Sequence, residues 1–247
     1  MIHFVGAGSG AVDLITIRGA ELLKEADVII YAGSLVNPDL LNYAKESCEI
    51  YDSAKMTLDE VLEVMFDAEK ENKMTVRLHT GDSSIYGAIR EQMDRLDEEE
   101  ISYDVCPGVS SFCGAAASLK AEYTLPDVSQ SVIITRPEGR TPKPAGESIA
   151  SFSKHHATMC IFLGISMIDK VVDELLEGYT EDTPVAVVKK ATWPDQEIIR
   201  GTLKDIAGKV KDANITKTAM IVVGDVLDPG DFTPSKLYDA NFKHEYR

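Results

Sequence analysis

The sequence predicts an α/β protein built from two successive α/β domains. Short apolar runs of strand length alternate with stretches of helical periodicity along most of the chain. Glycine-bearing segments follow the runs at 2–5, 74–79 and Tyr103–Cys106, where open α/β sheets keep their ligand loops. Near residue 125 the pattern breaks and restarts, so residues 1–125 are assigned to an N-terminal domain and 126–247 to a C-terminal one. With 247 residues, 44% of them apolar, both domains can bury a core without disulfides or metal.

Residues 2–5 form the first expected strand, followed by Gly6-Ala7-Gly8-Ser9-Gly10. Asp13 is read as the cap of a helix reaching Glu25, and Val28–Tyr31 as the second strand. Thr57-Leu58-Asp59-Glu60 has the form of a capping box. It opens a helix whose Leu58, Val61, Leu62 and Met65 share one face. A strand at 74–79 runs into Gly81-Asp82. A helix through Ile89, Met93 and Leu96 leads to the strand Tyr103–Cys106, and Pro107-Gly108 precedes a small-residue helix at 110–119. In the second half, strands are expected at Val132–Thr135, 158–163, 184–188, Glu197–Thr202 and Ala219–Val223. Helices are expected at 166–177, with Ile168, Val171, Val172, Leu175 and Leu176 in one stripe, and at 204–210. The segment 136–146 carries Pro137, Pro142, Pro144, Gly139 and Gly146, which excludes regular structure. Residues after Asp228 read as a loose tail.

Charge narrows the function. Against 25 Lys and Arg stand 41 Asp and Glu, a net charge of −16, which repels nucleic-acid backbones. The run Asp97-Glu98-Glu99-Glu100 reads as a solvated helix end. Cys48, Cys106, Cys113 and Cys160 have no metal-ligand spacing and read as small buried hydrophobes; no metal site is expected. His155-His156 is assigned to the surface. No apolar run approaches the roughly 18 residues of a membrane span, and Met1-Ile2-His3-Phe4 enters a strand directly. A cytoplasmic location is the expectation.

Three segments are placed to carry chemistry. The loop Gly6–Gly10 with Ala11 fits a dinucleotide fingerprint of the form G-x-G-x-x-A. However, the helix begins too late to meet a pyrophosphate, and the second strand ends in Ala32-Gly33-Ser34 rather than an acid. Alone, this loop selects no cofactor, and a tight turn explains it equally. In Thr80-Gly81-Asp82-Ser83-Ser84-Ile85-Tyr86-Gly87, glycine allows close approach of a ligand and Asp82 has acceptors for a ribose or amine; capping of the next helix is the alternative. Pro107-Gly108-Val109-Ser110-Ser111 offers hydroxyls either to a helix end or to a ligand.

Taken together, these segments resemble the tetrapyrrole methylase family. Gly6-x-Gly8-x-Gly10 followed by Leu14-Ile15-Thr16-Ile17-Arg18-Gly19 is similar to its first signature. Gly81-Asp82-x3-Tyr86-Gly87, with Pro107-Gly108 about twenty residues on, is similar to its second. The likeness continues through Pro184-Val185-Ala186-Val187-Val188, Ala191-Thr192-Trp193-Pro194 and Gly201-Thr202-Leu203, so it spans nearly the whole chain in order. Tyr31–Val36 (31–36), Arg77-Leu78-His79-Thr80-Gly81-Asp82 and the segment 135–142 resemble the branch that methylates carbon 11 of precorrin-4 or cobalt-precorrin-4. Ser9 and Ser83 stand where the family usually has proline, which loosens both loops.

The resemblance implies two α/β domains with S-adenosylmethionine held between them, a homodimer, and an anionic tetrapyrrole substrate on the cobalamin pathway. Carried over by motif, the cofactor residues are Thr80, Gly81, Asp82, Ile85, Tyr86, Ser110, Ser111, Leu163, Ala186 and Ala219. Substrate contacts fall to Ser34, Arg136, Arg140 and Lys190, since a carboxylate-rich ring calls for local cations. No proton acceptor is assigned. The alternatives are methylases for uroporphyrinogen III, precorrin-2 or precorrin-3, diphthine synthase, a nicotinamide-dependent oxidoreductase, or a non-enzymatic binding module.

Overall fold

The structure, a computed structural model, describes residues 1–236 and Glu245. Residues 229–235 hold no helix or strand; the rest of the expected tail, 237–244 with 246 and 247, lies outside the described residues. The chain divides into two compact units, Met1–Gly114 with Lys190–Asp195, and Ala115–Lys189 with Gln196–Arg247. The division falls inside a helix rather than at 125. The start of that helix packs under the first glycine loop, so closely that a methyl group on Gly114 would sit 2.5 Å from the Ser9 Cβ.

The first unit is a parallel sheet covered on both faces. Its strands are β1 (Ile2–Gly6), β2 (Val28–Tyr31), β3 (Glu49–Asp52), β4 (Thr75–His79) and β5 (Tyr103–Cys106). Their order is β3-β2-β4-β1-β5, and every pairing is parallel. Alternation divides the side chains between two cores. Val5, Ile29, Val76 and Leu78 pack with Leu23 of α1 (Ile17–Glu25). Ile2, Phe4, Val28 and Ile30 pack with Val61, Leu62 and Met65 of α2 (Leu58–Lys70) and with Leu96 of α3 (Arg90–Glu98). The helices after β1 and β4 therefore lie on opposite faces, and the adjacent carboxyl ends of those two strands form a topological switch point, the usual ligand crevice of such sheets. Helix α4 (Ser111–Leu119) follows β5.

The second unit has a mixed sheet of β6 (Val132–Thr135), β7 (Thr158–Ile161), β8 (Pro184–Lys189), β9 (Glu197–Thr202) and β10 (Ala219–Val223). The order is β6-β7-β10-β8-β9; only β6 and β7 run parallel. One face packs Met159, Ile161, Val185, Val187, Ile221 and Val223 against three helices: α5 (Ile149–Ser153), α6 (Ile168–Leu175) and α7 (Ile206–Asp212).

Several local expectations need correcting. Asp13 lies in a single 3-10 turn, and the cap of α1 is Thr16, whose hydroxyl accepts from the Gly19 amide at 3.1 Å. The capping box of Thr57 and Glu60 forms, but Leu58 stands exposed outside the buried face of Val61, Leu62 and Met65. In α6, Leu176 likewise falls outside the buried stripe. Strand β7 stops at Ile161, two residues early. Strand β3 was not expected: its Glu49-Ile50-Tyr51-Asp52 has no apolar run, and as an edge strand it pairs only with β2. Cys106 and Cys160 are buried, whereas Cys113 is exposed and Cys48 is in between. His155 and His156 lie on the surface.

Candidate functional site

Three glycine segments meet at the carboxyl ends of β1, β4 and β5. Beyond β1, the Ala7 amide donates to the His79 carbonyl at 2.7 Å. Gly8 and Gly81 then exchange backbone hydrogen bonds of 3.2 and 2.9 Å as an antiparallel bridge. The loops after β1 and β4 thus hold each other across the switch point. A methyl group on Gly6 would lie 2.6 Å from the Gly108 backbone, and one on Gly108 would lie 2.2 Å from the Gly81 carbonyl oxygen. Gly81 itself has a φ of +62°, a conformation that favours glycine. The glycines of three separate motifs are therefore one packing arrangement.

Asp82 ties this arrangement together. One carboxylate oxygen accepts from the Gly108 amide at 2.8 Å, and the other from the Ser84 amide at 2.9 Å and from the Ser84 hydroxyl. Partial burial by itself would raise its pKa, but these hydrogen bonds outweigh it and hold the carboxyl below the usual aspartate value. Such bonds are worth about 2 kcal/mol each. Their contribution is present above the ordinary aspartate range and is lost as pH falls through the depressed folded value. Asp82→Asn keeps the shape but presents an amide to two amide donors. It is expected to lower stability by about 2 kcal/mol, read by urea unfolding.

Around this centre the expected residues differ in what they offer. Thr80 and Tyr86 are exposed, Ile85 and Ser111 are half-buried, and Gly81 and Ser110 are buried. Tyr86, 46% exposed, has a φ of +55°; in the second unit Leu163, 63% exposed, has the same φ. A bulky side chain held outward on a left-handed backbone costs about 1–3 kcal/mol and is characteristic of ligand sites. Ala219 begins β10, where it pairs with Lys189 of β8. Ala186 is wholly buried in the middle of β8, paired with Val222 on one side and Arg200 on the other.

The cations are also more constrained than their sequence positions suggested. Arg136 turns its guanidinium into its own loop, donating to the carbonyls of Pro137, Thr141 and Pro142 at 3.2, 3.1 and 3.0 Å. Lys190 pairs with Asp195 at 2.5 Å and lies 5.0 Å over the Trp193 ring. Arg140 and Ser34 are exposed.

Sequence reasoning missed four residues. Lys143 donates to the Thr135 hydroxyl and the Arg136 carbonyl at 2.7 and 2.9 Å, and burial pulls its pKa below the usual lysine value. Asn37, buried, donates to the Gly10 carbonyl at 2.9 Å. Arg77 and His79 lie buried on β4; Arg77 donates to Gln92 and to the Ile30 carbonyl, both at 3.1 Å. A basic residue inside an otherwise apolar strand was the available signal for the last two. Asn37 and Lys143 sit in irregular segments whose contacts no periodicity encodes.

Residues 1–207 match the family described as tetrapyrrole (corrin/porphyrin) methylases. The chain belongs to that family. A cobalt-precorrin-4 C(11)-methyltransferase of Methanocaldococcus jannaschii is 62% identical over 247 residues, covering 100% of this chain and 95% of that protein. A precorrin-4 C(11)-methyltransferase of a Sinorhizobium species is 45% identical, covering 100% and 98%. Among solved structures, a cobalt precorrin-4 methyltransferase described as a cobalamin biosynthetic enzyme superposes with a TM-score of 0.90 at 47% identity, covering 92% of this chain and 96% of that one. The Ser9 hydroxyl lies 3.1 Å from the Thr192 hydroxyl, whereas the Ser83 hydroxyl is buried with no partner among the described residues.

Proposed function

We propose that this protein transfers a methyl group from S-adenosylmethionine to carbon 11 of cobalt-precorrin-4 or precorrin-4 in cobalamin biosynthesis. The observation that carries the reading is the full-length 62% identity to the Methanocaldococcus enzyme, and its name favours the cobalt-bearing substrate. The convergence of three glycine loops at a topological switch point supports it, because such strand ends are where open α/β sheets bind their ligands.

In the first unit we assign Thr80, Gly81, Asp82, Ile85, Tyr86, Ser110 and Ser111 to the cofactor, and in the second Leu163, Ala186 and Ala219. Asp82 acts by holding the Gly81 and Gly108 loops in register. Bound S-adenosylmethionine supplies an already activated methyl, so the task left to the protein is alignment and exclusion of water. Ser34 and Arg140 are assigned to the tetrapyrrole. Arg136 and Lys143 shape the 136–143 loop that carries Arg140, and Lys190 contributes through the Trp193 segment. The resemblance further supports a cytoplasmic homodimer; among the described residues no helix is long and apolar enough to cross a membrane.

The test supplies cobalt-precorrin-4 and methyl-labelled S-adenosylmethionine and reads the product by mass spectrometry and carbon NMR. One added methyl on carbon 11 is expected. A methyl elsewhere on the ring would move the protein to another member of the family. Heat on titration with NADH but none with S-adenosylhomocysteine would overturn the methyltransferase reading itself.

A further inference from the structure

The segment between β8 and β9 belongs to the first unit although both strands belong to the second. Its residues are arranged against the first glycine loop. The Thr192 hydroxyl accepts from the Ala11 amide at 3.0 Å and lies 3.1 Å from the Ser9 hydroxyl. A methyl group on Gly10 would sit 2.0 Å from Cδ1 of the Trp193 indole and 2.6 Å from the Ala191 carbonyl oxygen. The Asn37 amide meanwhile holds the Gly10 carbonyl. The loop is thus gripped at Ser9, Gly10 and Ala11, although its own sequence is small and flexible.

Thr192 has a φ of +68°. For a β-branched residue this is a strained conformation that surrounding structure must enforce. A glycine or asparagine there would relieve the strain, but would lose the hydroxyl in its present place. The adjacent Lys190 is also left-handed, with a φ of +48°, and the Asp195 carboxylate and the Trp193 ring hold its ammonium.

We propose that Thr192 is a positioning residue for methyl transfer: its hydroxyl sets the shape of the loop Gly6–Gly10 and thereby the seating of S-adenosylmethionine at the switch point. This rests on the function proposed above. Thr192 touches no reacting atom; it acts through the Ala11 amide and Ser9. The loop, in turn, bridges to Gly81, so a shift at Ser9 is transmitted to the strand end where the ligands lie.

Thr192→Val keeps the β-branched shape and removes the hydroxyl, whereas Thr192→Ser keeps the hydroxyl. Two readouts are needed on the full chain: steady-state methylation of cobalt-precorrin-4, and hydrogen exchange of the peptide spanning Gly6–Ala11. Thr192→Val is expected to raise KM for S-adenosylmethionine about tenfold, because one amide loses its acceptor and the shift reaches Gly81 through the Gly8–Gly81 bridge. Exchange across Gly6–Ala11 is expected to accelerate about tenfold by the same loss. Thr192→Ser is expected to restore both to within about threefold. Equal impairment in the serine and valine variants, or a valine variant with wild-type KM, would overturn the proposal. If the wild-type protein binds S-adenosylhomocysteine but does not methylate the ring, the proposed function fails. Exchange then still judges Thr192: unchanged protection of Gly6–Ala11 in the valine variant rejects it.

Discussion

Gly108→Ala is expected to abolish methyl transfer, with a loss of more than about a hundredfold, because misplacement of aligned groups by even an ångström is this costly. The added methyl would lie 2.2 Å from the Gly81 carbonyl oxygen and 2.7 Å from the Gly6 Cα. Both neighbours are backbone, fixed by the β1–β4 pairing and the Gly8–Gly81 bridge, so neither can rotate away. Relief requires the strand-end loops to separate, which also breaks the bond from the Gly108 amide to Asp82. Overpacking of this kind costs about 3 kcal/mol of stability. Gly208→Ala on α7 is the control: nothing lies within 4 Å of its added methyl, and a helix gains about 0.5–1 kcal/mol from the change. Urea unfolding and a labelled-methyl assay on both variants decide the point. A Gly108→Ala protein that folds normally and keeps more than a tenth of the wild-type rate would show that the three loops do not pack against one another.

The second large effect is in acid. His79 is 4% exposed, stacks on Phe4 at a centroid distance of 6.2 Å, and leaves its Nε2 without a partner. Burial first, and the nearby Arg77 charge second, push its pKa down to about 3. In the unfolded chain the same ring titrates near 6.5. Above that value both states are neutral and stability is complete. As pH falls through the interval toward 3, the unfolded chain takes up a proton that the folded one refuses. Stability then drops by about 1.4 kcal/mol per pH unit. His79→Leu removes the titration together with the unpartnered nitrogen, so it is expected to match wild type closely at pH 7 and to exceed it by about 2 kcal/mol at pH 5. Chemical unfolding at a series of pH values between 7 and 4.5 measures this. Parallel curves for the two proteins would mean that His79 takes up its proton in the folded state as readily as in the unfolded chain.

How much of this was legible in the residues varies from element to element. Strands β2, β6 and β10 follow apolar runs, since a strand buried in a sheet must be apolar where it is covered. The capping box at Thr57 was readable because its two partners are three residues apart. Strand β3 was not, because an edge strand with polar residues satisfies its backbone through a neighbour that no local pattern names. Helix α1 began later than expected because Thr16, rather than Asp13, has its hydroxyl over the open amides of the first turn.

The candidate site divides along the same line. Sequence alone determined the α/β class, the three glycine segments at strand ends, the family resemblance and the chemistry it implies, since these rest on composition, periodicity and motif order. Tertiary structure alone decided that Gly6, Gly81 and Gly108 serve one another as packing partners, that Asp82 and Arg136 act within the protein's own loops, and that Thr192 reaches back to Ser9 and Ala11 from far along the chain. The physical reason is one of range. Periodicity and capping record interactions a few residues apart, whereas the partner of a strand-end loop is chosen by strand order, and strand order exists only once the chain has folded.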